Sequence, residues 1–215
     1  MSELKPGEIE VVRTRSSQVT IHIAGGAIFG ALSAVVSFVL SPIINASRIP
    51  GWQIAMFDPT SWVWIICFLI FGVYSGLICC CTGAIGLLLI DPSGWVGPLF
   101  KFSATVPLIL IPFFIFKLNE SQKLKDPKNF VISGAISTLV RIAIMLPLNL
   151  LFFATIWSEW FEFMDLEIIG LGNITGLSAV LIFNPIINLY TSALDLTVPY
   201  FLVFGPKLDE KFGFW

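Results

Sequence analysis

Long apolar runs, divided by short polar segments, constrain this chain more than any other feature. A helix needs about 20 apolar residues to cross the hydrocarbon core of a bilayer. Runs of that order occupy residues 19–42, 62–90, 97–116, 130–156 and 174–203. Of the 215 residues, 56% are hydrophobic and 12% charged, where an ordinary soluble domain carries about 25% charged residues. Mean hydropathy is +0.90. Too little polar surface remains to cover a water-facing globule, so a soluble enzyme, a disordered chain and a nucleic-acid binder are excluded. The net charge of −2 gives a polyanion no field to follow. The expected class is an all-α polytopic protein of the lipid bilayer, with tails at 1–18 and 204–215 around a transmembrane domain at 19–203.

The catalytic inventory is thin. His22 is the single histidine, so an HExxH zinc site cannot form. No GxSxG elbow accompanies it, and no GxxxxGK[ST] loop is present. No metal site and no covalently bound cofactor is expected. Cys67, Cys79, Cys80 and Cys81 lie in one apolar run, where packing is the simple reading. The tandem also has the look of an S-acylation site.

The run 62–90 holds about 29 residues, too many for one upright span and few for two. Basic residues favour the cytoplasmic side of a membrane and resolve this. If the run is two short helices, six spans place Lys5, Arg13, Arg15, Lys117, Lys123, Lys125, Lys128, Lys207 and Lys211 inside. Arg48 is then outside, and Lys101 lies at the outer edge of a helix. If the run is one span, the lysine-rich loop 117–129 moves outside. The expectation is therefore a six-helix bundle in the cell membrane, helices two and three short, both termini cytoplasmic. That topology puts Trp52, Trp62, Trp64, Trp95, Trp157 and Trp160 at the outer face. They form either an interfacial belt or the aromatic walls of a ligand site.

Polar groups inside a bilayer need a partner or a purpose. Arg141 lies roughly 16 Å from the inner end of the fifth helix and Asp195 roughly 12 Å from that of the sixth. Those depths suit an ion pair, which is either a structural clamp or a substrate-binding arginine. Asn149 lies roughly 10 Å below the outer end of the fifth helix. Asn184 and Asn188, at i and i+4, share a face of the sixth. These amides either tie helices together or line an outward pocket for a planar, uncharged heterocycle. Lys101 either closes that pocket or snorkels to the headgroups. In the first helix, Gly26 with Gly30 and Ala27 with Ala31 form a small-residue stripe, suited to packing within the bundle or to docking another subunit.

Together these features resemble the substrate-binding S component of energy-coupling factor transporters, over nearly the whole chain. Ala27-Ile28-Phe29-Gly30-Ala31 is similar to the AxxxA motif by which the family's first helix meets the shared membrane T subunit. Phe71-Gly72-Val73-Tyr74-Ser75-Gly76-Leu77 is similar to the glycine-marked turn between helices two and three. Trp95-Val96-Gly97-Pro98-Leu99-Phe100-Lys101-Phe102 resembles the start of the fourth helix in riboflavin-type members, and Met145-Leu146-Pro147-Leu148-Asn149 their ligand-binding fifth-helix segment. Phe183-Asn184-Pro185-Ile186-Ile187 is similar to a sixth-helix segment that usually reads Phe-Asn-Leu-Leu-Lys, with Ile187 in place of the lysine. The resemblance implies a transport subunit, not an enzyme. It captures a vitamin outside, riboflavin first and thiamin as the alternative, and docks on a T subunit and two ATPase subunits that hydrolyse ATP. Implied substrate-binding residues are Trp95, Lys101, Arg141, Asn149, Asn184 and Asn188; the implied partner face is Ala27, Gly30 and Ala31. The rival classes are an assembly protein and a membrane-embedded lipid-modifying enzyme.

Overall fold

A computed structural model describes residues 15–52, 54–116, 121–156, 158–161 and 164–212. The charged residues of the first 14 positions, Lys117 and Trp157 lie outside the described residues. Helix α1 spans Arg15–Val39, and Pro42 sits in the first turn of a short α2, Ser41–Ala46. Proline there lacks only an N–H that has no helical partner anyway.

The run 62–90 is divided, as expected, into α3, Thr60–Phe71, and α4, Val73–Leu87. Gly72 separates them with φ 88°, ψ 179°, a conformation that a Cβ would oppose. Its N–H still reaches Phe68 O at 2.9 Å. Helix α5 is Val96–Phe116 and contains Pro107 and Pro112. Helix α6 is Pro127–Thr155; it starts three residues before the expected 130, because Asp126 caps Lys128 N and Pro127 takes the first position. After the short α7, Ser158–Phe161, the acidic segment folds into an unexpected hairpin, β1 Asp165–Leu166 against β2 Leu171–Thr175. Helix α8, Gly176–Phe204, and a short α9, Leu208–Phe212, complete the chain.

Four of these helices are long and apolar enough to cross a membrane: Val19–Val39 of α1, α5, α6 and α8. The shorter apolar α3 and α4 pack among them, α4 against α1 and α3 against α8. Polarity is distributed as lipid would require. Large apolar side chains face outward, among them Phe38, Phe114, Val131, Leu139 and Phe201, while Ser75, Ser133, Ser137, Thr138 and Arg141 are buried. Several buried hydroxyls find partners within their own helices, as Ser137 does on Ser133 O at 2.7 Å.

Two apolar clusters organise the interior. The larger joins α3, α4, α5 and α8 around Trp64, Ile65, Leu69, Leu108 and Ile109. The smaller lies at the opposite end, where Trp52, Leu166, Val180, Phe183 and Ile187 seal the hairpin and the 47–59 loop onto α8. Trp64 corrects the expected outer-face placement of the tryptophans. It is fully buried, and its Nε1 donates to Ser33 Oγ at 2.8 Å. Helix α3 begins at the level of Asp195, to which Ser61 Oγ donates at 2.6 Å, so a residue one turn into α3 falls in the core.

Candidate functional site

Between α5, α6 and α8, under the 47–59 loop, lies a cavity of about 220 Å³. The helical period selects its lining. Arg141, Met145, Asn149 and Phe153 recur every four residues on α6, and Gly97, Phe100, Lys101, Ala104 and Thr105 form one face of α5. From α8 come Asn184, Ile187, Asn188, Thr191 and Asp195; Trp52, Ile54 and Met56 of the loop form the roof.

The floor is a connected polar network. Arg141 Nη1 donates to Asp195 Oδ2 at 2.8 Å, Nη2 to Thr191 Oγ1 at 2.8 Å, and Nε to Asn188 Oδ1 at 3.0 Å. Asp195 Oδ1 accepts from Ser61 Oγ at 2.6 Å. Three helices thus meet at one buried ion pair, and both members have satisfied hydrogen-bonding groups, the condition under which buried charges are tolerated. Of the two readings offered for Arg141, the structural clamp describes its contacts; its side chain still borders the cavity.

Asn188 Nδ2 donates to Asn184 Oδ1 at 3.1 Å and to Asn184 O at 2.9 Å. Asn149 Nδ2 donates to Met145 O at 2.8 Å. Asn149 and Asn184 are 9% and 3% exposed. Each amide is only half used: among the described residues, Asn149 Oδ1 and Asn184 Nδ2 have no hydrogen-bond partner.

The wall holds a second ion pair, between Lys101 and Asp58. Burial raises the Asp58 carboxyl, but the Lys101 charge and hydrogen bond, with the donors of Thr60, outweigh it and hold the group below its ordinary range. Asp58 Oδ1 also accepts from Thr60 N at 3.1 Å, at the start of α3. The roof is tied down by Trp52, whose Nε1 donates to Asp165 O at 2.9 Å and whose ring lies 4.4 Å from that of Phe183. In charge the lining is balanced: Arg48, Lys101 and Arg141 against Asp58, Asp91 and Asp195.

The structure brings Lys101, Arg141, Asn149, Asn184 and Asn188 to one cavity. It does not bring Trp95. That side chain is 55% exposed, with its ring 5.7 Å from Phe152. Trp95 lies two residues before Gly97, about 200° around the helix from the cavity face of α5. Trp62 does border the cavity; the Trp160 side chain lies outside the described residues. Asp58, Ser61 and Thr191 are lining residues that the sequence did not single out. One signal pointed to Asp58: the solitary Lys101 in an apolar helix needs a counter-charge.

On α1, Gly26 and Gly30 are buried against α4. A Cβ on Gly26 would stand 2.7 Å from Ser75 O, and one on Gly30 2.6 Å from Thr82 Cβ. Gly30 therefore packs within the chain, whereas Ala31 is exposed and Ala27 half-buried beside it. No group of three or more His, Cys, Asp or Glu among the described residues is placed to hold a metal ion. The chain matches no protein-family model, no curated protein and no solved structure.

Proposed function

We propose that this chain is the substrate-binding S component of an energy-coupling factor importer in the cell membrane. On this reading it captures a heterocyclic vitamin from outside, uncharged riboflavin first and the thiamin cation as the alternative. It then docks on a T subunit served by two ATPase subunits. The six apolar helices form one bundle with cytoplasmic termini, in which α3 and α4, at roughly 18 and 22 Å, cross with help from the loops that follow and precede them.

The observation that carries the proposal is the pair of half-used amides, Asn149 and Asn184, buried in one cavity. Their free atoms are not sealed in the protein but open to the cavity, so a ligand's polar edge would complete both. Trp52, Phe100 and Phe153 supply apolar and aromatic wall. Internal pairing of Arg141 with Asp195 and of Lys101 with Asp58 favours a neutral ligand over an anion. The resemblance of the helix layout and motif order adds the family.

The test is to purify the protein in detergent, denature it and identify released small molecules by mass spectrometry. A heterocyclic vitamin released near one per chain is the expected result. A protein that releases none, and that binds neither riboflavin nor thiamin on addition, overturns the proposal.

A further inference from the structure

We infer that Asn188, held between Arg141 and the backbone carbonyl of Asn184, is a positioning residue that sets the hydrogen-bond polarity of the cavity, so that the site selects a lactam edge, an acceptor and an N–H donor on one uncharged ring system. The inference rests on the reading of the cavity as a ligand site and deepens it.

A guanidinium has only donors. Its Nε, 3.0 Å from Asn188, therefore meets the amide oxygen of that side chain and never its nitrogen. The Asn188 nitrogen points the other way, where the Asn184 backbone carbonyl at 2.9 Å, a pure acceptor, holds it as well, and it donates to Asn184 Oδ1 at 3.1 Å. With its oxygen occupied, Asn184 turns its own Nδ2 to the cavity as a donor. The sequence of constraints starts from Asp195, which holds Nη1 of the same guanidinium at 2.8 Å and fixes its plane. The orientation of Asn149 is fixed separately. Its Nδ2 donates to Met145 O, a pure acceptor, at 2.8 Å, so its Oδ1 faces the cavity as an acceptor. An amide free to rotate about its last bond would read donors and acceptors alike. These two cannot, because each is tied by a partner of one polarity. The cavity thus offers one donor and one acceptor in fixed places, and Arg141 contributes without touching the ligand's reading edge.

The experiment compares two bicyclic probes of the same shape, lumazine, which has lactam edges, and 2,4-diaminopteridine, which replaces its carbonyl acceptors by amino donors and its N–H donor by a ring-nitrogen acceptor. Binding is measured by tryptophan quenching in detergent, at a pH where the diamine is uncharged. The wild type should prefer lumazine by about a hundredfold, the effect of two mismatched hydrogen bonds in a buried site. Asn188→Leu releases Asn184 to rotate, and the preference should fall to about tenfold, which Asn149 alone maintains. Asn188→Asp offers Asn184 only acceptors, turning its oxygen to the cavity, and should bring the preference to parity. Gel filtration confirms that the variants remain folded; if Asn188→Asp does not fold, the neutral Asn188→Leu decides alone. An unchanged preference in folded Asn188→Leu overturns the inference. So does a wild type that binds neither probe or both equally. If that wild type nevertheless releases a small molecule on denaturation, the inference alone has failed and the ligand site stands; if it releases nothing, both have.

Discussion

Arg141 on α6 and Asp195 on α8 hold one another at 2.8 Å beneath the cavity, each only 6% exposed. Removing one member strands a buried charge, whereas removing both strands none. Arg141→Met alone should therefore destabilise the protein by about 3–5 kcal/mol. Asp195→Leu added to it should recover most of that loss. Thermal unfolding in detergent of the two single variants and the double variant checks this. Independent, additive effects would mean that the pair is not the joint of the two helices.

Asn149 and Asn184 each present one unpartnered amide atom to the cavity. Asn149→Ala and Asn184→Ala should each weaken ligand binding by about three- to tenfold, the value of one hydrogen bond to an uncharged group. Asn149→Ala should leave the unfolding temperature nearly unchanged, since the Met145 carbonyl it releases lies within a helix. Titration of the co-purified molecule against each variant gives the comparison. Wild-type affinity in both would remove the two residues from the site.

Asp58 anchors the roof loop to Lys101 on α5. Its folded pKa lies below the ordinary 3.8, despite burial, because of Lys101 and Thr60. A depressed carboxylate pKa contributes stability above the unfolded value and loses it as pH falls through the folded value. The loop should accordingly stay closed at neutral pH and loosen only below about pH 4. Emission of Trp52 and Trp62, both at the cavity, should shift to the red over that interval. Lys101→Met leaves only Thr60 to oppose burial, raises the Asp58 carboxyl and should move the shift to higher pH. An acid transition that Lys101→Met leaves in place would assign it to another group.

The two faces of α1 should respond differently to bulk. Gly30 is pressed on Thr82 and Cys79 O of α4, so Gly30→Val should destabilise the fold itself by about 1–3 kcal/mol. Ala27→Trp with Ala31→Trp lies on the outward side and should leave ligand binding intact while blocking recovery of the T subunit on pull-down. Normal recovery would remove this face from the proposed docking surface.

Depth along a helix was legible in the sequence, because rise per residue is constant; direction around it was less so. Arg141 and Asp195 could be matched by depth, and Asn184 and Asn188 by their four-residue spacing, and the structure joins both pairs. A break within 62–90 was also readable, since a helical run with that length and that charge pattern had to divide; that it falls at Gly72, with Gly76 inside α4, was not. Trp95 was misplaced because it precedes the first turn of α5, where a two-residue offset turns a side chain to the far surface. Trp64 was misplaced because the depth of the 47–59 loop is set by tertiary contacts, Trp52 on Asp165 O among them. The same loop path hid Asp58 and Ser61, whose partners Lys101 and Asp195 lie far along the chain. The hairpin at 165–175 carried no alternating pattern strong enough to announce two short strands.

The most direct test of the central claim is to return the molecule released from the denatured protein to empty, refolded or ligand-stripped protein and follow tryptophan fluorescence. The account predicts saturable quenching at one molecule per chain, by an uncharged heterocycle, lost in large part when Asn149 and Asn184 are both alanine. No quenching by that molecule, or quenching of equal strength in the double variant, would contradict it.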